Sequence, residues 1–279
     1  MHSAAPALLT RLLRNPLTAA SLAFLLLVHV LAFAGPLGWT VPPQQTSALE
    51  ALLPPGPGHP LGTDDLGRDE LSRLLHGGQV TLLVGFAAML TSTVLGLLIG
   101  AIAGFYSGWV DVVLMRFTDT MTAPAFFLIV TAIVVLGSGP LTLIAVIGAT
   151  SWMQVARVIY GETLRFKAQD FVLAAEAMGA RRAVVLIRHI LPQTIPSVVV
   201  SATLGVGFAV LTEAAISYLG LGIQPPTPSW GNMLQNAQQY VWTAPALAVI
   251  PGAVITLVVL AYNFLGDGLR DAADPRLRI

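Results

Sequence analysis

The chain has 279 residues, 55% of them hydrophobic and only 10% charged, where a soluble domain carries about 25% charge, so water is not its main solvent. Fourteen basic residues balance fourteen acidic ones, which excludes a globally basic nucleic-acid binder and a polybasic membrane-surface protein. Without cysteine there are no disulfides or thiolate sites, and the five histidines (His2, His29, His59, His76, His189) have no ligand spacing, so no metal or other bound cofactor is expected.

Crossing about 30 Å of hydrocarbon takes roughly 20 helical residues. Six apolar stretches are predicted to do so, as helices, because in hydrocarbon each backbone amide must be satisfied within its own segment. They are Leu17 to Gly35, Val80 to Gly104, the two halves of Thr120 to Ala156 cut by Gly137-Ser138-Gly139-Pro140, Ile195 to Leu219, and Pro245 to Gly266. Positive residues resist translocation. With a cytoplasmic N-terminus, Arg11, Arg14, Arg116, Arg157, Arg165, Lys167, Arg181, Arg182, Arg188, Arg270, Arg276 and Arg278 fall inside and only Arg68 and Arg73 outside. The expected fold is therefore all-α and integral to a membrane, with six transmembrane helices and both termini cytoplasmic. A rival reading makes Arg11, Arg14, the apolar run and Ala32-Phe33-Ala34 a cleavable signal peptide, but the run is longer than a usual signal core and cleavage would leave five spans.

In the outer loop, Asp64 and Asp65 suit a helix start, Asp69 and Arg73 form an i, i+4 pair, and Leu71, Leu74 and Leu75 share a face. A short interfacial helix leading into the second span is predicted there. Gly96, Gly100, Gly104 and Gly108 repeat every four residues, which allows close approach of another helix, within one subunit rather than between two. Pro124 predicts a kink in the third span. Arg116 and Asp119, three apart, read as a local pair. His29 sits mid-span with no second ligand at helical spacing, so a satisfied interhelical hydrogen bond is expected. Glu213 is the sole charge of its span; about 1.5 Å per residue from Ile195 puts it roughly 27 Å along, near the outer interface. It is either at an outer gate or solute contact, or in a solvated or hydrogen-bonded structural role.

The inner loop runs from Asp170-Phe171-Val172-Leu173-Ala174-Ala175-Glu176-Ala177-Met178-Gly179-Ala180-Arg181-Arg182 to Ile190-Leu191-Pro192. Asp170 can cap a helix, Ala174, Ala175 and Ala177 allow close approach of another surface, and Gly179 ends the helix in a left-handed conformation. A second amphipathic stretch returns to the bilayer and stops at Pro192. Phosphate cradling by a P-loop needs Gly-Lys followed by Ser or Thr, and the one lysine, Lys167, lacks that context. A secondary carrier would need buried charges at mid-membrane, and the spans are almost bare of them; a membrane hydrolase would need a nucleophile with its base or a His-Glu-x-x-His site, and neither occurs.

This segment resembles the cytoplasmic signature of permease subunits of binding-protein-dependent ABC importers: Glu-Ala-Ala, three residues, Gly, nine residues, Ile, one residue, Leu-Pro. Ala174, Ala175, Gly179, Leu191 and Pro192 match at full spacing, while Leu173 stands where the family has Glu and His189 where it has Ile. The resemblance extends through Leu61 to Asp69, Ser217 to Gly222, Pro225 to Gly231 and Asn263 to Asp271, and is strongest to the shorter second permease of importers of di- and oligopeptides, glutathione or nickel chelates. It implies the type I permease fold. On that likeness residues 1–16 are a cytoplasmic segment, 17–79 the first helix with its external loop, 80–266 the five-helix core with a coupling loop at 161–194, and 267–279 a cytoplasmic tail.

The same resemblance implies that Asp170, Ala174, Ala175, Glu176, Gly179, Ala180, Leu191 and Pro192 couple the subunit to an ATPase. Asp64, Asp65, Arg68 and Asp69 are either an ordinary capped surface helix or a contact for the docked binding protein. The implied partners are a homologous second permease, two ATPase subunits that use ATP and Mg, and a periplasmic or lipid-anchored solute-binding protein, in a bacterial or archaeal cytoplasmic membrane. The implied activity is non-catalytic, forming half of an import path for di- or oligopeptides, with nickel chelates or glutathione as the alternatives.

Overall fold

The computed structural model describes residues 12, 15–39, 41–122 and 125–273, with the backbone alone at 125–128. Arg11, Arg14, Pro124, Arg276 and Arg278 lie outside the described residues, and so does the kink expected at Pro124. Apart from two single-turn 3-10 helices, Ala48–Glu50 and Gln238–Tyr240, the described residues form nine helices and no strand: α1 (Pro16–Gly38), α2 (Glu70–Tyr106), α3 (Gly108–Thr122), α4 (Ala125–Leu136), α5 (Pro140–Lys167), α6 (Asp170–Ala177), α7 (Arg182–Tyr218), α8 (Trp230–Ala237) and α9 (Ala246–Ala273).

Among the described residues, α1, α2, α5, α7 and α9 are each long and apolar enough to cross a membrane. The third predicted span differs. Helix starts at Gly108, not Thr120, and the stretch is divided into α3, which carries Asp111, Arg116 and Asp119, and α4. With 15 and 12 residues, they reach about 22 and 18 Å at 1.5 Å per residue, so neither spans alone. The interfacial helix expected before the second span is also not separate. Glu70 opens α2, whose 37 residues run for about 55 Å without interruption.

Two layers organise the core. Helix α2 lies along α5 for most of its length, and α7 lies across α2, α5 and α9, with α1 closing against α2 and α9. The glycine repeat makes the first contact possible. A methyl group on Gly96 would meet Val155 Cβ at 2.6 Å, one on Gly100 would meet the Ala156 carbonyl, and one on Gly104 would meet Thr163 Cβ at 2.8 Å. In lipid, where apolar surface gives little drive between helices, such close backbone packing supplies the dispersion energy instead. Gly108 is not part of this stripe: α2 ends at Tyr106, and Ser107 and Gly108 turn the chain with positive φ.

Side chains bond the layers where apolar packing alone would leave register open. His29 Nδ1 donates to the Leu25 carbonyl at 2.7 Å, which leaves Nε2 to accept from the Tyr262 hydroxyl at 3.3 Å and ties α1 to α9. Asp119 bonds Arg157 of α5 at 2.9 Å, not Arg116 on its own helix. That pair is half exposed and contributes less than about 1 kcal/mol if solvated. Lys167 donates to Phe105 O at 2.6 Å and Ser107 Oγ at 2.9 Å, satisfying one of the carbonyls that the end of α2 leaves open.

Candidate functional site: a protruding turn and a buried polar cap

The two ends of α2 carry the two sets of candidate residues. Because Lys167 holds the Tyr106 end, the 170–192 turn lies there; the 62–73 segment lies at the Glu70 end.

At the turn, α6 has one inward face. Val172 and Ala175 are buried in the core cluster that includes Val185 and Ile190. The opposite face is open: Phe171, Leu173, Ala174, Glu176, Ala177 and Met178 are exposed, Met178 at 82%. Gly179 closes the helix at φ +82°; its amide bonds the Glu176 carbonyl at 2.9 Å and the Ala180 amide bonds Ala175 O at 3.1 Å. This is the paired pattern that ends helices at a left-handed glycine, as the sequence predicted. Asp170 is not the cap. Gln169 holds that position without a side-chain bond, and Asp170 is the first helical residue, where its charge faces the unpaired amides of the first turn.

The sequence treated the eight residues of this turn as one group, and the structure separates them. Asp170, Ala174, Glu176, Gly179 and Pro192 are exposed, Ala180 is half-buried, and Ala175 and Leu191 pack into the chain's own core. The second amphipathic stretch is continuous with the following span. In α7, Val185–Ile190 is wound as a π-helix, with the Leu191 amide reaching back to Leu186 O. Pro192 has no amide to donate to Arg188 O and its ring crowds that carbonyl, and the wider winding accommodates it.

At the other end the polar residues are buried, contrary to the surface-helix reading. Asp64, Arg68, Asp69, Glu70 and Arg73 are all nearly inaccessible. Asp64 starts no helix: its Oδ1 accepts the Leu66 and Arg68 amides, each at 2.9 Å, and its Oδ2 accepts Arg68 Nε at 2.6 Å with Arg73 Nε 3.5 Å away. The turn closes on Gly67, at φ +72°, where any Cβ would run into the Ser47 carbonyl. Asp69 is the cap of α2, accepting Ser72 N at 2.7 Å, and its remaining capacity goes to Trp39 Nε1 at 2.8 Å and His59 Nδ1 at 2.9 Å. The expected Asp69–Arg73 pair is therefore not made, because Arg73 turns to Asp64. Of the four residues read as a docking contact, Asp65 alone keeps a partly open side chain, at 30%.

Glu213 is fully buried, at 0%, rather than solvated at an interface. Ser217 Oγ donates to its Oε1 at 2.7 Å, and Ser217 Oγ in turn accepts the Ile223 amide at 3.0 Å. Thr81 accepts the Trp230 amide at 3.3 Å, and Ser229 and Asn232 cap α8 reciprocally. These bonds tie α7 to the 223–230 loop, while Glu213 Oε2 has no hydrogen-bond partner among the described residues. Among the described residues no group of three or more His, Cys, Asp or Glu is placed to hold a metal ion.

Long apolar helices bonded by glycine contacts and a few buried polar ties, with one helical turn standing out, define a multi-pass membrane protein. Residues 96–279 match the family described as binding-protein-dependent transport system inner membrane component, and the chain belongs to that family of transport permeases. It is 40% identical to the glutathione transport system permease protein GsiD of Pectobacterium atrosepticum, over 80% of this chain and 75% of that one. It is 35% identical to the dipeptide transport system permease protein DppC of Alkalihalophilus pseudofirmus, over 96% and 88%. With the oligopeptide transport system permease protein OppC of Bacillus subtilis the identity is 36%, over 95% and 87%.

Proposed function

We propose that this chain is one of two homologous permeases in an ATP-driven importer of di- and oligopeptides, seated in a bacterial or archaeal cytoplasmic membrane. The observation that carries the reading is the exposed apolar face of α6 held on a buried base, in a chain of this family. An exposed Phe171, Leu173 and Met178 beside Glu176, Arg181 and Arg182 is a surface suited to a protein groove rather than to water. Its inward face, fixed by Val172 and Ala175, makes movement of α6 movement of α7 and α5 as well. Closure of two ATPase subunits would thus be passed to the spans, and a chain without a phosphate-binding loop leaves hydrolysis to them.

In this reading α3 and α4 together complete a sixth crossing, since Gly108 to Leu136 is long enough when joined. The termini and the 170–192 turn face the cytoplasm and the Glu70 end faces outward, where a solute-binding protein docks. Asp65 is the one member of the acidic cluster open to that docking protein. The likeness over nearly the whole length to relatives named for dipeptide and oligopeptide transport supports peptide as cargo. The 40% identity to a glutathione permease favours glutathione, itself a peptide, as the second reading, and supports it better than nickel.

The direct test is uptake of labelled di- and tripeptides into vesicles holding the assembled importer, with Glu176→Arg and Gly179→Val changed together. ATPase co-purification and uptake should both be lost while the chain still inserts. ATPase binding and uptake that survive the double change would remove α6 as the contact, and uptake that follows a proton gradient after ATP depletion would remove the importer class.

A further inference from the structure

The cap at the Glu70 end carries a set of apolar side chains on its open side. Leu49 is 97% exposed and Trp242 95%, and Leu52, Leu53, Leu66 and Val241 are also open. Backbone bonds bring the first group together: Ser47 N donates to Leu66 O at 3.0 Å, Leu52 N to Asp64 O at 2.9 Å and Thr63 N to Leu53 O at 3.1 Å. Tyr240 lines the same narrow crevice as Asp64 and Asp65, which brings Val241 and Trp242 to this side of the cap. The base under these residues is rigid. Leu52 is held at φ +57°, a conformation that a bulky residue keeps only where its surroundings fix it, and here the buried Asp64 segment does so.

We infer that this apolar patch is the docking surface for the solute-binding protein, whose facing surface carries an apolar recess edged by lysine or arginine. The identity of the partner rests on the importer reading above. Lipid does not cover the patch. Leu247, near the start of α9, lines the crevice with Glu70 and Arg73, so the loop before it stands at the first turn of α2. From Glu70 to the start of the apolar run at Val80 is about 15 Å along α2, farther than a headgroup layer of about 5–8 Å reaches. Apolar surface that gathers in water marks a protein contact, and a protruding tryptophan is a common anchor of one. Charge sets the sign of the partner. Glu50 and Asp65 keep 48% and 30% of their side chains open, whereas Arg68 and Arg73 are buried against Asp64. His59 lies between Glu50 and Asp69 and is mostly buried, and residues 219–245 contain no charged side chain. The open charges of the cap are therefore carboxylates, which favour a basic rim on the protein that docks.

The experiment measures binding of the purified solute-binding protein to the assembled importer in lipid nanodiscs, with ATP-driven uptake into vesicles followed in parallel. Leu49→Ser together with Trp242→Ala should weaken docking at least about 30-fold, the scale of a lost aromatic anchor. Glu50→Lys with Asp65→Lys should slow association, most at low salt. Trp109→Ala removes a tryptophan 75% exposed at the Tyr106 end and should leave docking unchanged. A benzophenone attached to Leu49→Cys should capture the solute-binding protein under light, and this readout does not depend on how the other substitutions affect folding. Unchanged docking in the Leu49 and Trp242 double variant, or capture of the homologous permease or of lipid alone, overturns the surface and leaves the import function standing. Docking that the double variant abolishes, in a parent complex that shows no ATP-driven uptake, would keep the surface and reject the import function.

Discussion

Asp64 shows how much a single side chain carries at the Glu70 end. It accepts two backbone amides and one guanidinium and lies close to a second, all out of water. Removing one partner of a buried charge set leaves the others uncompensated, at about 3–5 kcal/mol. Asp64→Ala should therefore lower the thermal unfolding temperature far more than Asp65→Ala, whose side chain is partly exposed; equal effects would show that the Arg68 and Arg73 contacts contribute little. Glu213 predicts the reverse sensitivity. Its surroundings are hydroxyls and no cation, so Glu213→Gln keeps the Ser217 bond and should leave unfolding within about 1 kcal/mol of the parent, while Glu213→Leu strands Ser217 and should cost about 1–3 kcal/mol. The residue types at both places were legible in the sequence, but the partners were not. Trp39 and His59 reach Asp69 across 30 and 10 positions, and no local spacing encodes such a contact. Glu70 was overlooked beside its more regularly spaced neighbours.

The helices themselves were easier to read, because a charge-free run of sufficient length admits few alternatives in lipid. Five of the six expected stretches are helices able to span, and their cores lie where the apolar runs lie. Polarity near Asp111, Arg116 and Asp119 hid the start of α3, since a search for charge-free residues cannot see a helix that packs its charges against Arg157 and Tyr160. The glycine stripe was legible as a packing motif, and its partner, α5, was not. Gly100→Val tests that partner: with the Ala156 carbonyl where the new Cβ must go, the α2–α5 contact has to open. Overpacking of this kind costs about 1–3 kcal/mol, so unfolding should shift down, and a compensating change on α7 should not restore it. An unshifted transition would mean that α2 and α5 adjust without loss.

At the scale of the whole molecule, a chain of one family carries an exposed turn at one end of a 37-residue helix and a closed polar cap at the other. The signature residues located the turn, and the left-handed Gly179 followed from them. Which faces of α6 are open did not follow, because Ala174 and Ala175 are alike as residues and only packing distinguishes them. Since the chain has no cysteine, one introduced thiol reports on one place. Leu49→Cys lies at the cap end and Met178→Cys at the turn, replacing side chains 97% and 82% exposed. In intact cells an impermeant maleimide should label the first and not the second, and a thiol crosslinker on the second should capture the ATP-hydrolysing subunit, less so when ATP closes the complex. Labelling of Met178→Cys from outside, or its capture of the solute-binding protein instead, would contradict the assignment of α6 as the contact through which the permease is driven.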